Sequence, residues 1–437
     1  MPISKQLVSD ELVQRREEGC AVDGIAQAIA DAGVADEVVL SALLSDLERL
    51  QPDPSLAEQE PSDLEAIRSL RPDGPRTYGA SFGETRLRDA INGAWQGRAA
   101  GCLLGKPSEG WHHDRIKAYL EPAGLYPLDD YFPLVVPEPP RGVGGPRGQT
   151  DWVRGRISFA PRDDDTDYTV LGLHILEENG PGFTTQHVAE QWLDHLPYGQ
   201  VYTAERVTYA NLVNGLQPPE TASFRNPYRE WIGAQIRADA FGYANPGLPA
   251  AAAEMAYRDA ALSHVKNGIY GEMWIAACLA AAFVESDPRR VIEIGLSEIP
   301  ARCRLAEAIR RTIGWCQEHD DWEQTWRAVN GAYGHYHVVH TINNACAVAL
   351  ALLHGQMDFE RTVAISVMCG WDTDCNGATA GSILGAMLGL SNLPTKWVQP
   401  LNDTMESAVR GFSRCRISDL AERTLAQATA ILSGEAR

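Results

Sequence analysis

The sequence predicts an all-α fold, with one large multi-helix domain preceded by a small helical appendage. Apolar residues recur at helical spacing, regular strand-like alternation is absent, and two of the periodic stretches carry glycine at every fourth position. The clearest helical windows are 87–104, 169–178, 250–283, 305–316, 341–353, 359–368, 378–390 and 417–432. We therefore expect compact packing of helices against helices.

Residues 1–80 form the predicted appendage. Helical spacing up to about residue 50 indicates two or three short helices, and 51–75 has the composition of a linker, rich in proline, aspartate, glutamate and serine. A larger domain is predicted over 81–437. We expect this domain to remain soluble and helical when the appendage is deleted.

The charge of the chain bears on its partners. With 38 basic and 58 acidic residues, the net charge is −20, which disfavours binding to nucleic acid or to an anionic membrane. The sequence shows no apolar run of membrane-spanning length, no secretory pattern and no Cys-x-x-Cys pair among nine cysteines. These features predict a cytoplasmic protein, either a monomer or a small homo-oligomer.

The two glycine series lie at 93–105 and 377–389, each on one helix face. Glycine inside a helix costs about 1 kcal/mol relative to alanine, so its repeated use predicts that two helix backbones approach closely. Acidic residues adjoin both series: Glu109 follows the first, and Asp372 and Asp374 precede the second. Residues 163–165, all aspartate, precede another helical window.

One aspartate is enough to cap a helix, whereas three in succession repel one another unless a cation lies between them. Carboxylate oxygens bind hard cations. The acidic clusters therefore predict a site for Mg²⁺, with Mn²⁺ and Ca²⁺ as alternatives.

Together, these elements resemble the ADP-ribosylglycohydrolase family, the relatives of dinitrogenase-reductase-activating glycohydrolase and the vertebrate ADP-ribosylhydrolases. The similarity runs through a glycine-rich motif at 93–109, Asp-Asp-Thr at 164–166 and Gly-x-Asp-Thr-Asp-x-Asn at 370–376. Gly-Cys-Leu-Leu-Gly-Lys-Pro at 101–107 and Asp-Thr-Asp-Cys-Asn at 372–376 resemble a bacterial subgroup. The resemblance implies a catalytic domain over 81–437 with a binuclear Mg²⁺ site that binds ribose hydroxyls beside a glycosidic bond.

Carried over by position, the resemblance implies the metal ligands Asp163, Asp164, Asp165, Asp372, Asp374 and Cys375. Relatives commonly have threonine at the positions of Asp163 and Cys375, and many have aspartate at that of Cys102. Because a thiol suits Mg²⁺ less well than a hydroxyl, Cys375 is either a ligand or a small packing residue.

Glu109 and Asp165 are the predicted catalytic residues. The resemblance implies that Glu109 lies over the metals, where it could act as the general base for a water attacking the anomeric carbon. Glu109 could instead be a gate or an orienting residue. In that case the metals or Asp165 would activate the water.

Four further residues are candidates for substrate contact: His264, His337, His340 and Trp371. His337 and His340 have metal-capable spacing, but no cysteine or glutamate nearby completes a zinc site, so they are predicted to be hydrogen-bonded architecture or pocket wall. Several aromatic residues could stack on an adenine, and the sequence does not select among them: Tyr198, Tyr202, Phe241, Tyr243, Tyr270 and Trp371.

The predicted function is metal-dependent hydrolysis of an N- or O-glycosidic bond to ADP-ribose, on a protein or a small molecule. Two alternatives stay open, namely a hydrolase of a smaller ribosyl compound and a catalytically silent binding protein on the same fold. The Pro/Gly-rich segment 107–161 joins Glu109 to the aspartate cluster, so we expect it to border the mouth of the site.

Overall fold

The computed structural model describes residues 3–34, 36–79, 82–134, 145 and 150–435. Helices dominate these residues, and the strands among them are β1 (Thr404–Glu406) and β2 (Arg414–Arg416), which form one antiparallel pair. The all-α prediction is confirmed. In the part of the chain that the structure describes, no helix has both the length and the apolar character of a membrane span.

Three short helices begin the chain, as the spacing predicted: α1 (Lys5–Glu17), α2 (Asp23–Asp31) and α3 (Glu37–Arg49). They bury a small apolar core of their own, separate from the main one. Leu7 and Leu12 of α1 meet Leu40, Leu44 and Leu47 of α3 in this core. Burial of these side chains accounts for the helical spacing seen in the sequence.

The segment 51–75 differs from the predicted linker. It contains α4 (Pro54–Gln59) and α5 (Leu64–Leu70), and Ile67 is buried in the core of the large domain. Glu60 pairs with Arg304 at 2.6 Å, and Arg71 pairs with Glu298 at 2.6 Å. These partners in the large domain order a segment whose composition alone is typical of a linker.

The large domain contains the remaining helices. They are α6 (Glu84–Gly105), α7 (His113–Leu120), α8 (Asp164–Asn179), α9 (Thr185–His195), α10 (Thr203–Val213), α11 (Glu220–Ser223), α12 (Asp239–Tyr243), α13 (Pro249–Ala260), α14 (Asn267–Ala282), α15 (Pro288–Leu296), α16 (Arg304–Glu318), α17 (Trp322–Tyr333), α18 (Thr341–Gly355), α19 (Phe359–Met368), α20 (Thr373–Leu388), α21 (Thr395–Val398) and α22 (Ile417–Ser433). Short 3₁₀ turns include Lys106–Ser108 and Gln235–Arg237.

The predicted window 250–283 is two helices, α13 and α14, not one. The helical conformation is interrupted between them, where Asn226 donates a hydrogen bond to the carbonyl oxygen of Ser263 at 3.0 Å. The backbone N–H of Val265 then donates to the carbonyl of Arg229 at 3.0 Å. Side-chain and backbone partners from a distant segment therefore interrupt a stretch that is apolar enough to be continuous.

Helices α6 and α20 pack face to face along the two glycine series. A Cβ atom on Gly101 would lie 1.9 Å from the carbonyl oxygen of Gly377, and one on Gly377 would lie 2.3 Å from that of Gly101. Gly97 and Gly381 oppose each other in the same way. The predicted close approach is confirmed, and it brings the end of α6 to the beginning of α20.

Arg98 of α6 connects this helix pair to α8 and α12. Its guanidinium is fully buried and donates to the carboxylate of Asp239 at 2.8 Å. It also donates to the backbone at Asp165 and Ile236. The beginning of α8 is thereby held beside the end of α6, where the acidic clusters converge.

Candidate active site

A cavity of about 280 Å³ lies where the ends of α6, α8 and α20 meet. All the sequence-predicted metal ligands line it, together with Glu109: Asp163, Asp164, Asp165, Asp372, Asp374 and Cys375. The rest of the wall comes from Lys106 and Arg162, from the start of α10, from residues 231–236 and from Val339. The structure therefore brings together three clusters that are far apart in sequence.

Backbone hydrogen bonds fix Glu109 relative to Asp372. The N–H of Gly110 donates to the carbonyl of Trp371 at 2.9 Å, and the N–H of Trp371 donates to the carbonyl of Trp111 at 2.7 Å. Trp371 adopts a φ of 67°, a sharp turn that directs Asp372 towards the start of α20. The two acids consequently belong to one hydrogen-bonded unit.

At α8, the carboxylate of Asp163 caps the helix by accepting from the N–H of Asp165 at 3.1 Å. The ammonium of Lys106 forms an ion pair with the same carboxylate. The Lys106 ammonium also lies over the ring of Trp152, 4.8 Å from its centre. Trp152 belongs to the predicted Pro/Gly-rich segment, so this described part borders the site, whereas residues 135–144 and 146–149 of that segment lie outside the described residues.

Among the described residues, three sets of side chains could each hold a metal ion, since their candidate ligand atoms lie within 4.8 Å of one another. They are Glu109 with Asp372 and Asp374, Asp165 with Asp374 and Cys375, and Cys102 with Asp163 and Asp165. One oxygen of Asp374 is buried and accepts no hydrogen bond from the described residues, and one of Asp165 accepts none but lies 3.6 Å from Nη2 of Arg98. Buried carboxylate oxygens without donors fit a bound cation, because such groups are otherwise paired.

The cavity wall is strongly acidic, with seven carboxylates against the cations Lys106 and Arg162. Burial and the charge of Glu109 raise the pKa of Asp372 to about 7, and the same two causes raise the pKa of Asp374 well above its usual value. Although burial opposes the effect, Lys106 holds the pKa of Asp163 below its usual value. The wall therefore carries protons or cations near neutral pH.

Comparison with known proteins decides the family. A model of the ADP-ribosylglycohydrolase family matches residues 83–432, most of the chain. The chain belongs to the ADP-ribosylglycohydrolase family. The fold also resembles a solved structure titled "ADP-ribosylglycohydrolase-related protein complex", at 20% identity, 79% coverage of this chain, 99% of that chain and a TM-score of 0.48. Comparison with curated proteins gave no match.

Membership of the ADP-ribosylglycohydrolase family supports a hydrolase that acts on ADP-ribose conjugates. Two of the predicted substrate residues lie behind the cavity wall of this family member. His337 stacks on Trp231, with ring centres 4.1 Å apart, and Nε2 of His264 lies 4.0 Å from Oε1 of Glu205. Trp231 and Glu205, not the histidines, line the cavity.

The other two predicted substrate residues lie elsewhere. His340 caps α18 and has Nε2 3.5 Å from Glu17 of the appendage, while Trp371 is buried and acts through its backbone turn. Burial lowers the pKa of His340 to about 3, so its ring is neutral. Neither side chain is part of the described cavity wall.

Several residues that line the cavity were not predicted from the sequence. Lys106 stands inside the motif at 101–107, and its position between acidic clusters was an available signal. Glu205 and Gly233 gave no such signal. The two residues lie in contact, and the carboxylate of Glu205 needs glycine at 233, because a Cβ atom there would lie 2.0 Å from Oε1 of Glu205. Tyr202 is the one predicted stacking aromatic on the described wall.

Proposed function

We propose that the protein is a metal-dependent hydrolase that cleaves an N- or O-glycosidic bond to ADP-ribose, carried by a protein or a small molecule. Family membership supports the reaction class. The observation that carries the metal dependence is the buried oxygen of Asp374, which accepts no hydrogen bond from the described residues and stands among further carboxylates.

Asp165, Asp372 and Asp374 are the residues that would hold Mg²⁺, or Mn²⁺ or Ca²⁺ in its place, with Glu109 beside them. Their donor oxygens are those that hard divalent cations prefer. When bound, the metal would orient the ribose hydroxyls and stabilise the charge that develops as the leaving group departs. A wall with seven carboxylates would otherwise repel the diphosphate of ADP-ribose.

Glu109 is the proposed general base. It removes a proton from the water that attacks the anomeric carbon, while the glycosidic bond breaks and the leaving group gains a proton. Its partly buried carboxylate stands at the end of α6, pinned to the Trp371 turn through the neighbouring Gly110 backbone. Asp165 is the alternative base.

Arg162 and Tyr202 would bind the rest of the substrate. Arg162 donates to the hydroxyl of Tyr202 at 3.2 Å, and both line the cavity. The ring of Tyr202 also lies near Arg206, whose guanidinium carbon is 5.5 Å from its centre. A cationic and aromatic patch of this kind suits phosphate groups and a nucleobase.

A second candidate is hydrolysis of a smaller ribosyl compound. The cavity of about 280 Å³ is at the lower end of the size range of ligand pockets. It would enclose a ribosyl group and its leaving atom more completely than a whole ADP-ribose. A catalytically silent binding protein is the third candidate.

A turnover panel separates these candidates. Purified protein is incubated with ADP-ribosylated arginine, ADP-ribosylated serine peptides and simple ribosides, in Mg²⁺ and in EDTA, with Asp374→Asn as the matched inactive control. Metal-dependent release of ADP-ribose supports the proposal. Turnover of simple ribosides alone supports the second candidate, and binding of ADP-ribose conjugates without turnover supports the third.

A further inference from the structure

Lys106 places a fixed positive charge inside the acidic cluster. It follows the last residue of α6, its side chain is 13% exposed, and its ammonium pairs with the buried carboxylate of Asp163. The ring of Trp152 covers the ammonium from a further side. The ion pair with Asp163 and the contact with Trp152 hold this ammonium in the cavity, although burial opposes its charge.

The three possible metal sets differ in what they offer an ion. Asp163 is already bound by Lys106 and by the N–H of Asp165. In the set with Cys375, the thiol donates to Oδ2 of Asp165 at 3.2 Å. Both of these sets contain a sulfur, whereas Glu109, Asp372 and Asp374 offer oxygen ligands only. Hard divalent cations bind best to oxygen ligands.

We propose that Lys106 takes the place of one of the two ions implied by the family resemblance, so that this chain binds a single divalent cation at Asp372 and Asp374, beside Glu109. This inference rests on the proposed function, because it presupposes a metal site. The ammonium donates to the carboxylate of Asp163, where a metal would need a lone pair of that group. Its charge also repels a dication placed beside it.

Asp163 completes this arrangement. Its negative charge matches the positive charge of Lys106. Asp163 also caps α8, and the ion pair therefore fixes the helix whose first turn carries Asp165. Lys106 is thus a positioning residue that acts through Asp163.

The test is a metal count on the full chain. Metal-free protein is titrated with Mn²⁺, bound ions per chain are counted by native mass spectrometry, and electron paramagnetic resonance separates an isolated ion from a spin-coupled pair. We expect one isolated ion in the wild type. We expect a coupled pair in the double variant Lys106→Met with Asp163→Thr, which removes the ammonium and provides a hydroxyl.

Two controls accompany the count. Lys106→Arg keeps the charge and should bind one ion, and Lys396→Met, which removes a lysine outside the described cavity wall, should also bind one. A coupled pair in Lys106→Arg would overturn the inference. Circular dichroism and melting temperature establish that each variant is folded, and the wild-type count stands without any variant.

Three further outcomes would each overturn the inference. A coupled pair in the wild type overturns this inference and leaves the metal dependence of the proposed function intact. No bound ion in the wild type overturns both. A count of one in the folded double variant shows that Lys106 does not exclude the second ion, and overturns the inference.

Discussion

The guanidinium of Arg98 donates two hydrogen bonds to the carbonyl oxygen of Asp165, at 3.0 Å from Nε and 2.6 Å from Nη2. This contact joins the middle of α6 to the first turn of α8. The backbone at Asp165 is therefore held, while its carboxylate is directed at the cavity. A planar fork of donors makes this geometry possible, and lysine lacks it.

Arg98→Met should destabilise the protein by roughly 3–5 kcal/mol, because it leaves the buried carboxylate of Asp239 without its cation. Thermal unfolding measures the effect. The matched control is Arg88→Met on the same helix, where the side chain is 40% exposed and the loss should be much smaller. Equal losses in the two variants would contradict the role of Arg98.

Metal binding should stabilise the protein more as the pH rises. The raised pKa of Asp372, about 7, means that the folded metal-free protein holds this proton more tightly than the unfolded chain. The resulting stability is present below the unfolded pKa and is lost as pH rises through about 7. Above that pH the carboxylate of Asp372 is ionised, and an ionised carboxylate binds a metal ion more tightly.

Melting temperature in EDTA and in Mg²⁺ or Mn²⁺, at about pH 5 and about pH 8, checks this expectation. The metal-free protein should melt lower at the higher pH, and the gain on adding metal should be larger there. No gain at either pH would contradict the metal site. An equal gain at both would contradict the pH dependence.

Glu109→Gln should separate base catalysis from metal ligation. Glutamine keeps the size of the side chain but not its basicity, so kcat should fall about 10²- to 10⁴-fold with little change in KM. Asp374→Asn should weaken metal binding, and kcat and substrate affinity should then fall together. Steady-state kinetics at several metal concentrations distinguish the two variants. Near-normal kcat in Glu109→Gln would exclude the base role.

Gly101→Ala should cost about 1–3 kcal/mol or more, because the new methyl group would meet the carbonyl of Gly377 at 1.9 Å in a contact between two backbones. Gly331→Ala is the control. That glycine is exposed inside α17 and has open space around it, so alanine should stabilise by about 0.5–1 kcal/mol. Chemical denaturation measures both, and opposite signs are expected.

Deleting residues 1–79 should destabilise the large domain, which revises the expectation from sequence alone. Arg229 pairs with Glu11 at 2.8 Å and with Glu18 at 3.1 Å, all three buried, and Gln14 donates to Glu230 at 2.7 Å. Deletion leaves Arg229 without these partners.

The effect should reach the cavity, since residues 229 and 230 directly precede the wall at 231–233. Thermal unfolding and KM of the truncated chain measure it. Arg49→Ala, at an exposed ion pair in the appendage, is the control and should behave like the wild type. A truncated chain with wild-type melting and KM would restore the original expectation.

The acidic half of the site was predictable from the sequence, because its residues adjoin two local signals, the glycine series and the consecutive aspartates. Even there, α8 and α20 begin earlier than the apolar spacing indicates, at Asp164 and Thr373. Acidic side chains in a first turn are favoured by the helix dipole, so these clusters belong to the helices. The spacing of apolar residues does not reveal the first turns of α8 and α20, because those turns are polar.

The order of segment 51–75 and the other half of the site were not predictable, because their contacts join residues that are far apart in the chain. Arg71 and its partner Glu298 are 227 positions apart, and no local pattern in 51–75 reveals that pairing. The carboxylate of Glu205 is likewise held at the cavity by an ion pair with Arg237, at 2.9 Å, and Arg237 belongs to another segment of the chain. Composition describes a segment by itself and cannot show what it packs against.

The backbone contact between α6 and α20 also divides the site into two parts with separate tasks. Glu109 and Asp372 are tied to this pair of helices by backbone hydrogen bonds, whereas Tyr202, Glu205 and Trp231 come from segments outside it. We expect that changes in the second group alter which substrate fits while the acids keep their spacing. Substitutions at 202–205 and at 231–233 should therefore change selectivity without rebuilding the acidic half of the site.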